Sequence, residues 1–234
     1  MITIHDQLQQ NLNTIHDQIH SACRRVSRSA DEVRLIAVTK YAEWPWVEAL
    51  NSLHHSFGEN RPQQLAERQV LLPNAEWHLI GQLQRNKVKL ALQHAGVIHS
   101  IDSLRLLERV AQVAAELQIR PRVLIQANMS AEAAKSGFSA EELRSQWSEI
   151  ISFQSVVQIN GLMTMAAESD DSEDARLTFR SLRVLRDELR YTDASLKAGL
   201  TLTDLSMGMS GDFVPAIEEG ATMVRIGSRI FSGL

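Results

Sequence analysis

Short apolar runs alternate with longer segments of helical periodicity along nearly the whole chain. The strand-like runs fall at 33–39, 55–58, 77–83, 97–101, 122–128, 158–164, 203–208 and 223–227. Apolar residues at consecutive positions mark strands buried on both faces, as in parallel sheets. Between them, 44–54, 61–71, 85–94, 103–118, 139–152, 173–190 and the shorter 211–219 carry helical periodicity. In 103–118, for example, Leu104, Leu107, Val110, Val113, Ala114 and Leu117 share one face. A further helix over about 4–27 precedes the first strand. Eight strands alternating with helices predict an α/β fold, a single (β/α)8 TIM barrel over residues 1–234 with an extra N-terminal helix. An open doubly wound sheet is the alternative, weakened because no G-x-G-x-x-G follows the first strand.

Composition narrows the setting. The 234 residues suffice for a sizeable core, and 44% hydrophobic with 22% charged residues is ordinary for a soluble protein. A net charge of −4 without a basic stripe argues against nucleic acid. Arg24-Arg25 and the trio Arg183, Arg186 and Arg190 read as solvated helix faces. Cys23 is the single cysteine, which excludes an internal disulfide and fits a reducing compartment. The polar N-terminus is not a signal peptide, and no apolar run is long enough to span a membrane. A cytoplasmic protein is expected.

In either architecture, chemistry belongs at the carboxyl ends of the strands. Lys40 ends the first strand, where a partly desolvated amine can attack a carbonyl. Taken alone, it reads first as a lysine reaching solvent. Leu205-Ser206-Met207-Gly208-Met209-Ser210-Gly211-Asp212 and Gly227-Ser228 follow the last two strands. Such turns either cradle a phosphate or are ordinary Gly/Ser turns. Arg225 lies inside the eighth strand on the same face as Gly227, and a buried arginine needs an acceptor. An amine, a phosphate cradle and an inward arginine together point to pyridoxal 5'-phosphate (PLP). An arginine at the pyridine nitrogen keeps that nitrogen unprotonated. The ring is then a weak electron sink, suited to racemase-like chemistry or to plain storage of the cofactor.

The motifs then resemble a family. They are Ala37-Val38-Thr39-Lys40, Phe57-Gly58-Glu59-Asn60, the stretch from Glu76 to Lys87 (EWHLIGQLQRNK), Ile98-His99-Ser100-Ile101-Asp102 and Lys135-Ser136-Gly137-Phe138. Asn160-Gly161-Leu162-Met163, Leu205 to Ser210 and Val224 to Ser228 complete the series. The chain is similar to the pyridoxal phosphate homeostasis proteins, relatives of the barrel domain of bacterial alanine racemase. The resemblance implies a monomeric or weakly associating barrel lacking the racemase's C-terminal β domain. Lys40 would be the imine lysine, and Arg225 would face the pyridine nitrogen. Ser206, Gly227 and Ser228 would contact the phosphate, with Met207 and Gly208 nearby through the backbone. Asn60 and Met163 would complete the cofactor site. The function implied is PLP and vitamin B6 homeostasis and amino-acid balance, with PLP-dependent apoenzymes as partners. No catalytic residue and no metal site is expected. Tyr41, the Glu43-Trp44-Pro45-Trp46 segment and Arg61 depart from the family pattern at the rim.

A weak racemase is the alternative, and it needs an acid/base group on each face of the substrate. Lys40 could serve one face, but neither Tyr41 nor Tyr191 is well placed for the other. The chain ends at Leu234, directly after the eighth strand, where that family continues into a second domain. A barrel with another Schiff-base chemistry at Lys40 is a third reading. His78 reads as a hydrogen-bonded core histidine rather than a catalytic one. His54, His55, His94 and His99 lack metal-ligand spacing. Trp44 and Trp46 read as packing residues, and Lys87 and Lys89 as solvated helix positions. Lys135-Ser136-Gly137 is either a closing loop or a turn with glycine at positive φ.

Overall fold

The eight apolar runs become eight parallel strands that close on one another in chain order. In this computed structural model, which describes residues 2–129 and 136–234, they are β1 (Arg34–Val38), β2 (Ser56–Glu59), β3 (Glu76–Leu79), β4 (Val97–Ile101), β5 (Arg122–Gln126), β6 (Gln158–Met163), β7 (Asp204–Ser206) and β8 (Met223–Ile226). Pairing of β1 with β8, with Ile36 opposite Arg225, closes the barrel and excludes the open sheet.

The outer layer comprises α1 (Ile4–Arg25), α2 (Trp44–Asn51), α3 (Pro62–Leu71), α4 (Val88–His94), α5 (Leu104–Leu117), α6 (Ala140–Ser152), α7 (Arg176–Arg190), α8 (Asp193–Lys197) and α9 (Phe213–Glu218). The additional helix α1 starts at a capping box between Thr3 and Asp6. It buries Leu8, Leu12, Ile15, Ile19, Ala22 and Cys23 against α2 and α9. Helix α5 buries Leu106, Leu107, Val110, Ala111, Val113 and Ala114. Each large side chain among these contributes roughly 1.5–3 kcal/mol.

Two apolar clusters divide the core. Ile36, Val97, Leu124, Met163 and Met223 fill the inside of the barrel. The much larger cluster lies between strands and helices. Trp44 and Trp46 pack against it, and Trp46 stacks on Phe231 at 6.1 Å, as packing residues should.

Three features differ from the expectation. Strand β3 ends at Leu79 rather than at residue 83. A Cβ on Gly81 would lie 2.3 Å from the Asn60 carbonyl oxygen, so only glycine lets the chain cross there. The Gly81 carbonyl accepts from Ser100 Oγ at 2.7 Å instead of continuing a ladder. Helix α8 was not expected; its Ser195 hydroxyl, buried, accepts from Trp147 Nε1 at 2.8 Å. The arginines on α1 and α7 are not merely solvated. Arg25 pairs with Glu218 at 2.5 Å, and Arg176, Arg180 and Arg183 converge on the buried Glu219.

Candidate functional site

The first strand delivers Lys40 to the barrel mouth, and the turn that carries it is pinned from below. Arg68 lies on the buried face of α3 with Pro62 and Leu65. Its Nη1 donates to the Thr39 carbonyl at 2.7 Å and to Glu59 Oε1 at 2.6 Å. Its Nη2 donates to the Ala42 carbonyl at 2.8 Å. The Thr39 hydroxyl also donates to Glu59. Burial pushes the Glu59 carboxyl up, opposed by Thr39 and Arg68. One guanidinium thus clamps both ends of the Thr39–Ala42 turn around Lys40. Above the clamp lies a cleft of about 460 Å³ lined by Lys40, Tyr41, Asn60, Arg61, Gln64 and others. Lys40 Nζ sits 5.0 Å from the centre of the Tyr41 ring. Tyr41 is 88% exposed, so it stands beside Lys40 rather than across from it.

The neighbouring strand end supplies the second half. Gly208 has φ +92°, a conformation that favours glycine, and a Cβ there would strike Ala216 at 2.6 Å. Its carbonyl accepts from the Arg225 amide at 3.0 Å. The Gly227 amide donates to Ser210 Oγ at 3.3 Å. A Cβ on Gly227 would lie 2.9 Å from the Val38 carbonyl, two residues before Lys40. Gly208, Ser210 and Gly227 therefore meet in a close-packed turn against the end of β1.

Arg225 stands beneath this turn and is 4% exposed. Its Nη1 donates to Ser206 Oγ at 2.6 Å and its Nη2 to the Thr164 carbonyl at 3.0 Å. Its Nε has no hydrogen-bond partner among the described residues. Burial pushes Arg225 down to about 10, so it remains a cation at neutral pH. Asp212, on the same turn, favours that charge from a distance, and burial pushes its own carboxyl up.

The expected site residues separate into groups. Lys40 and Asn60 share the cleft. Gly208, Arg225 and Gly227 share the turn, and Ser228 is exposed at its rim. Met163 is buried in the inner apolar cluster, below the polar groups. Met207 faces the helix layer, and its amide is already bonded to the Met223 carbonyl at 3.1 Å. Ser206 is fully buried, with its hydroxyl held between Arg225 and His99. The serine beside the Gly227 amide is Ser210, four residues further on. His78 is a buried, hydrogen-bonded barrel histidine, as read from its strand. Gly137 has φ +123°, as in one of the two readings of its segment, whereas Lys135 lies outside the described residues. The sequence reading missed Arg68, and it carried Ser210 only within the turn from Leu205 to Asp212. Arg68 had a signal: it occupies an apolar position in the spacing Pro62, Leu65, Arg68.

Comparisons with known proteins give the family and the fold. Residues 10–234 match the family model of the alanine racemase N-terminal domain. The chain is 36% identical over 225 residues to the pyridoxal phosphate homeostasis protein of Aquifex aeolicus, covering 95% of this chain and 96% of that one. It is 32% identical to the protein of the same name from Haemophilus influenzae, covering 96% and 94%. The solved structure of PipY from Synechococcus elongatus with PLP bound is 35% identical, with a TM-score of 0.78 and coverage of 92% of this chain and 100% of that one. Alanine racemase from Clostridium difficile shares the fold at 15% identity and a TM-score of 0.72, matching 96% of this chain and 56% of the racemase.

Proposed function

Because the chain belongs to the pyridoxal phosphate homeostasis proteins, built on the alanine racemase N-terminal domain, we propose that its barrel mouth binds PLP and serves PLP homeostasis. The observation that carries this reading is Arg225: a buried cation with an unpartnered Nε, beneath a glycine-lined turn and beside the strand end that bears Lys40. A pyridine nitrogen is an acceptor suited to that Nε. The turn of Gly208, Ser210 and Gly227 has the close backbone approach and hydroxyl that a phosphate needs. In this reading Ser210 takes the phosphate role that the resemblance gave to Ser206, whose hydroxyl is engaged below. Gly227 and Ser228 complete the cradle, Asn60 flanks the ring, and Lys40 is the amine that condenses with the aldehyde. The bound cofactor supplies a conjugated electron sink, weakened where its nitrogen is unprotonated.

A holding role is favoured over racemization. Tyr41 stands beside Lys40, and Tyr191 lies at the far end of α7, so neither offers an acid opposite the lysine. The same reading takes the protein as a cytoplasmic monomer that passes PLP to apoenzymes. No helix among the described residues is long and apolar enough to cross a membrane.

The test is one spectrum. The purified protein mixed with PLP should absorb near roughly 420 nm, and borohydride should fix the cofactor on the peptide containing Lys40. Lys40→Ala should lack both signals. A wild type without the band and without a trapped adduct would refute the proposal.

A further inference from the structure

One continuous line of polar side chains crosses the barrel interior from the mouth to the opposite end. Arg225 Nη1 donates to Ser206 Oγ at 2.6 Å, and Ser206 Oγ lies 2.8 Å from His99 Nδ1. His99 Nε2 lies 2.9 Å from His78 Nδ1. His78 Nε2 lies 3.2 Å from Glu76 Oε2 and 3.1 Å from Ser56 Oγ. Glu76 Oε1 accepts from Arg122 Nη2 at 2.6 Å. Ser206, His99 and His78 have no exposed surface.

The two ends dictate every proton between them. A guanidinium only donates. Ser206 Oγ therefore accepts from Arg225, and with both imidazoles neutral and His78 Nε2–H on the Glu76 carboxylate its one proton points on to His99 Nδ1. An imidazole that accepts at Nδ1 carries its hydrogen on Nε2 and donates it to His78 Nδ1. His78 repeats the pattern, and its Nε2–H meets a carboxylate, which only accepts. This arrangement satisfies all five groups with both imidazoles neutral. The charged groups around the pair agree with it. His78 faces Glu76 on β3, Arg34 on β1 and Arg122 on β5, and His99 faces Arg34 and Arg225 on β8. Burial lowers both imidazoles, His99 well below the ordinary value; Glu76 opposes this at His78 while Arg34 and Arg122 add to it, and at His99 the neighbouring His78, Arg225 and Arg34 add to it.

We propose that His99 and His78 are positioning residues for the cofactor ring. Through Ser206 they fix the Arg225 guanidinium, so that both Nη groups face into the barrel and Nε is left for the ring nitrogen. This rests on the PLP reading above. A long arginine side chain has many rotamers; two directional acceptors, Ser206 Oγ and the Thr164 carbonyl, hold its plane. Ser206 stays an acceptor toward Arg225 because its own proton is drawn off by His99. Donors and acceptors polarised in series strengthen one another at this depth.

The imidazole tautomers are read by nitrogen-15 NMR of the protein without ligand. Both rings should be neutral, with bare Nδ1 and protonated Nε2, through roughly pH 6–8. His99→Leu should weaken PLP binding about tenfold, the effect of losing one hydrogen bond to a charged group. In the same variant the ring nitrogen of labelled PLP should take up a proton at a pH where the wild type keeps it bare. His99→Gln, with an acceptor and a donor, should recover most of the affinity. Ser206→Ala, which keeps both imidazoles in place but cuts their link to Arg225, should match His99→Leu. A protonated Nδ1 on His99 overturns the proposal. So does a folded Ser206→Ala or His99→Leu protein with wild-type affinity and ring state. A wild type that does not bind PLP instead removes the cofactor reading itself, a result distinct from either.

Discussion

Replacing Arg68 by methionine keeps the aliphatic stem on α3 and removes three donations at once: to Glu59, to the Thr39 carbonyl and to the Ala42 carbonyl. The guanidinium side chain is 10% exposed and Glu59 is 0% exposed, so solvent screens the pair little. Removing one partner of such a pair costs about 3–5 kcal/mol, because the other charge is left buried. Glu59 Oε2 already lacks a partner among the described residues, and Thr39 would still donate to Oε1. The carboxylate can escape by taking a proton, which gives the loss a pH dependence. Burial already holds the Glu59 carboxyl above its ordinary value, and losing Arg68 raises it further. A group raised in the folded state is protonated in both states below its unfolded value of about 4.3, so its penalty vanishes there and grows as pH rises through the folded value. Relative to wild type at the same pH, Arg68→Met should lose about 3 kcal/mol or more at pH 8 and clearly less near pH 5. In thermal melts the loss at pH 8 should lower Tm by about 6–12 °C for a chain of this length. Urea unfolding followed by circular dichroism measures the loss directly. Adding Glu59→Gln removes the stranded charge and should recover at least half of it. A loss under about 1 kcal/mol at pH 8 would refute the reasoning. So would a loss that grows on acidification, or a double variant as unstable as the single one.

Two further outcomes are expected. Burial lowers His54 to about 4 and also lowers His78 and His99, so these imidazoles must gain protons on unfolding. Their contribution is complete above the unfolded value of about 6.5 and is lost as pH falls from there, with His54 alone worth about 2–3 kcal/mol by pH 4. Urea midpoints should therefore start to drop below about pH 6.5, before the carboxylates titrate, and an unchanged midpoint between pH 7 and 5 would contradict this. Ser210→Ala should weaken PLP binding about tenfold while leaving pyridoxal, which has no phosphate, unaffected. Equal losses for both ligands in equilibrium titrations would remove Ser210 from the phosphate site.

The barrel was legible because strands buried on both faces leave short apolar runs, and eight of them recur between helices with apolar stripes. What the pattern could not carry was set by contacts between distant residues. Residues 80–83 are apolar enough for a strand, but Gly81 must cross the Asn60 backbone, and the ladder stops. Ser206 and Ser210 flank the same small-residue turn and look alike in sequence. Only the packing of β7 beside β8 shows that Arg225 claims the first and the Gly227 amide the second. The histidines gave half their meaning away. His78 reads as a satisfied core histidine and is one, but its partner His99 lies 21 residues along the chain. The arginine rows on α1 and α7 look like solvated faces until α9 brings Glu218 and Glu219 against them.

The balance of charge inside the barrel ties these pieces to function. Arg34 is neutralised by Asp204 at 2.9 Å and Arg122 by Glu76 at 2.6 Å, both at the amino ends of the strands. Glu59 is matched by Arg68. Arg225 differs: neutral oxygens hold its Nη groups, neutral imidazoles lie beyond Ser206, and Asp212 acts on it only from a distance. A carboxylate in direct contact would have satisfied this cation as Glu76 satisfies Arg122. It would also have left Nε less need of an acceptor. Keeping the surrounding groups neutral preserves a full positive charge at the floor of the mouth, aimed at whatever enters. A ligand with an aromatic nitrogen lone pair and a phosphate answers that charge twice, once at Nε and once through the field under the glycine turn. Because the guanidinium retains its proton, a cofactor ring placed on it as proposed would be stabilised as a neutral acceptor. On the proposed reading, this geometry would favour retention of the cofactor over withdrawal of electrons from a substrate.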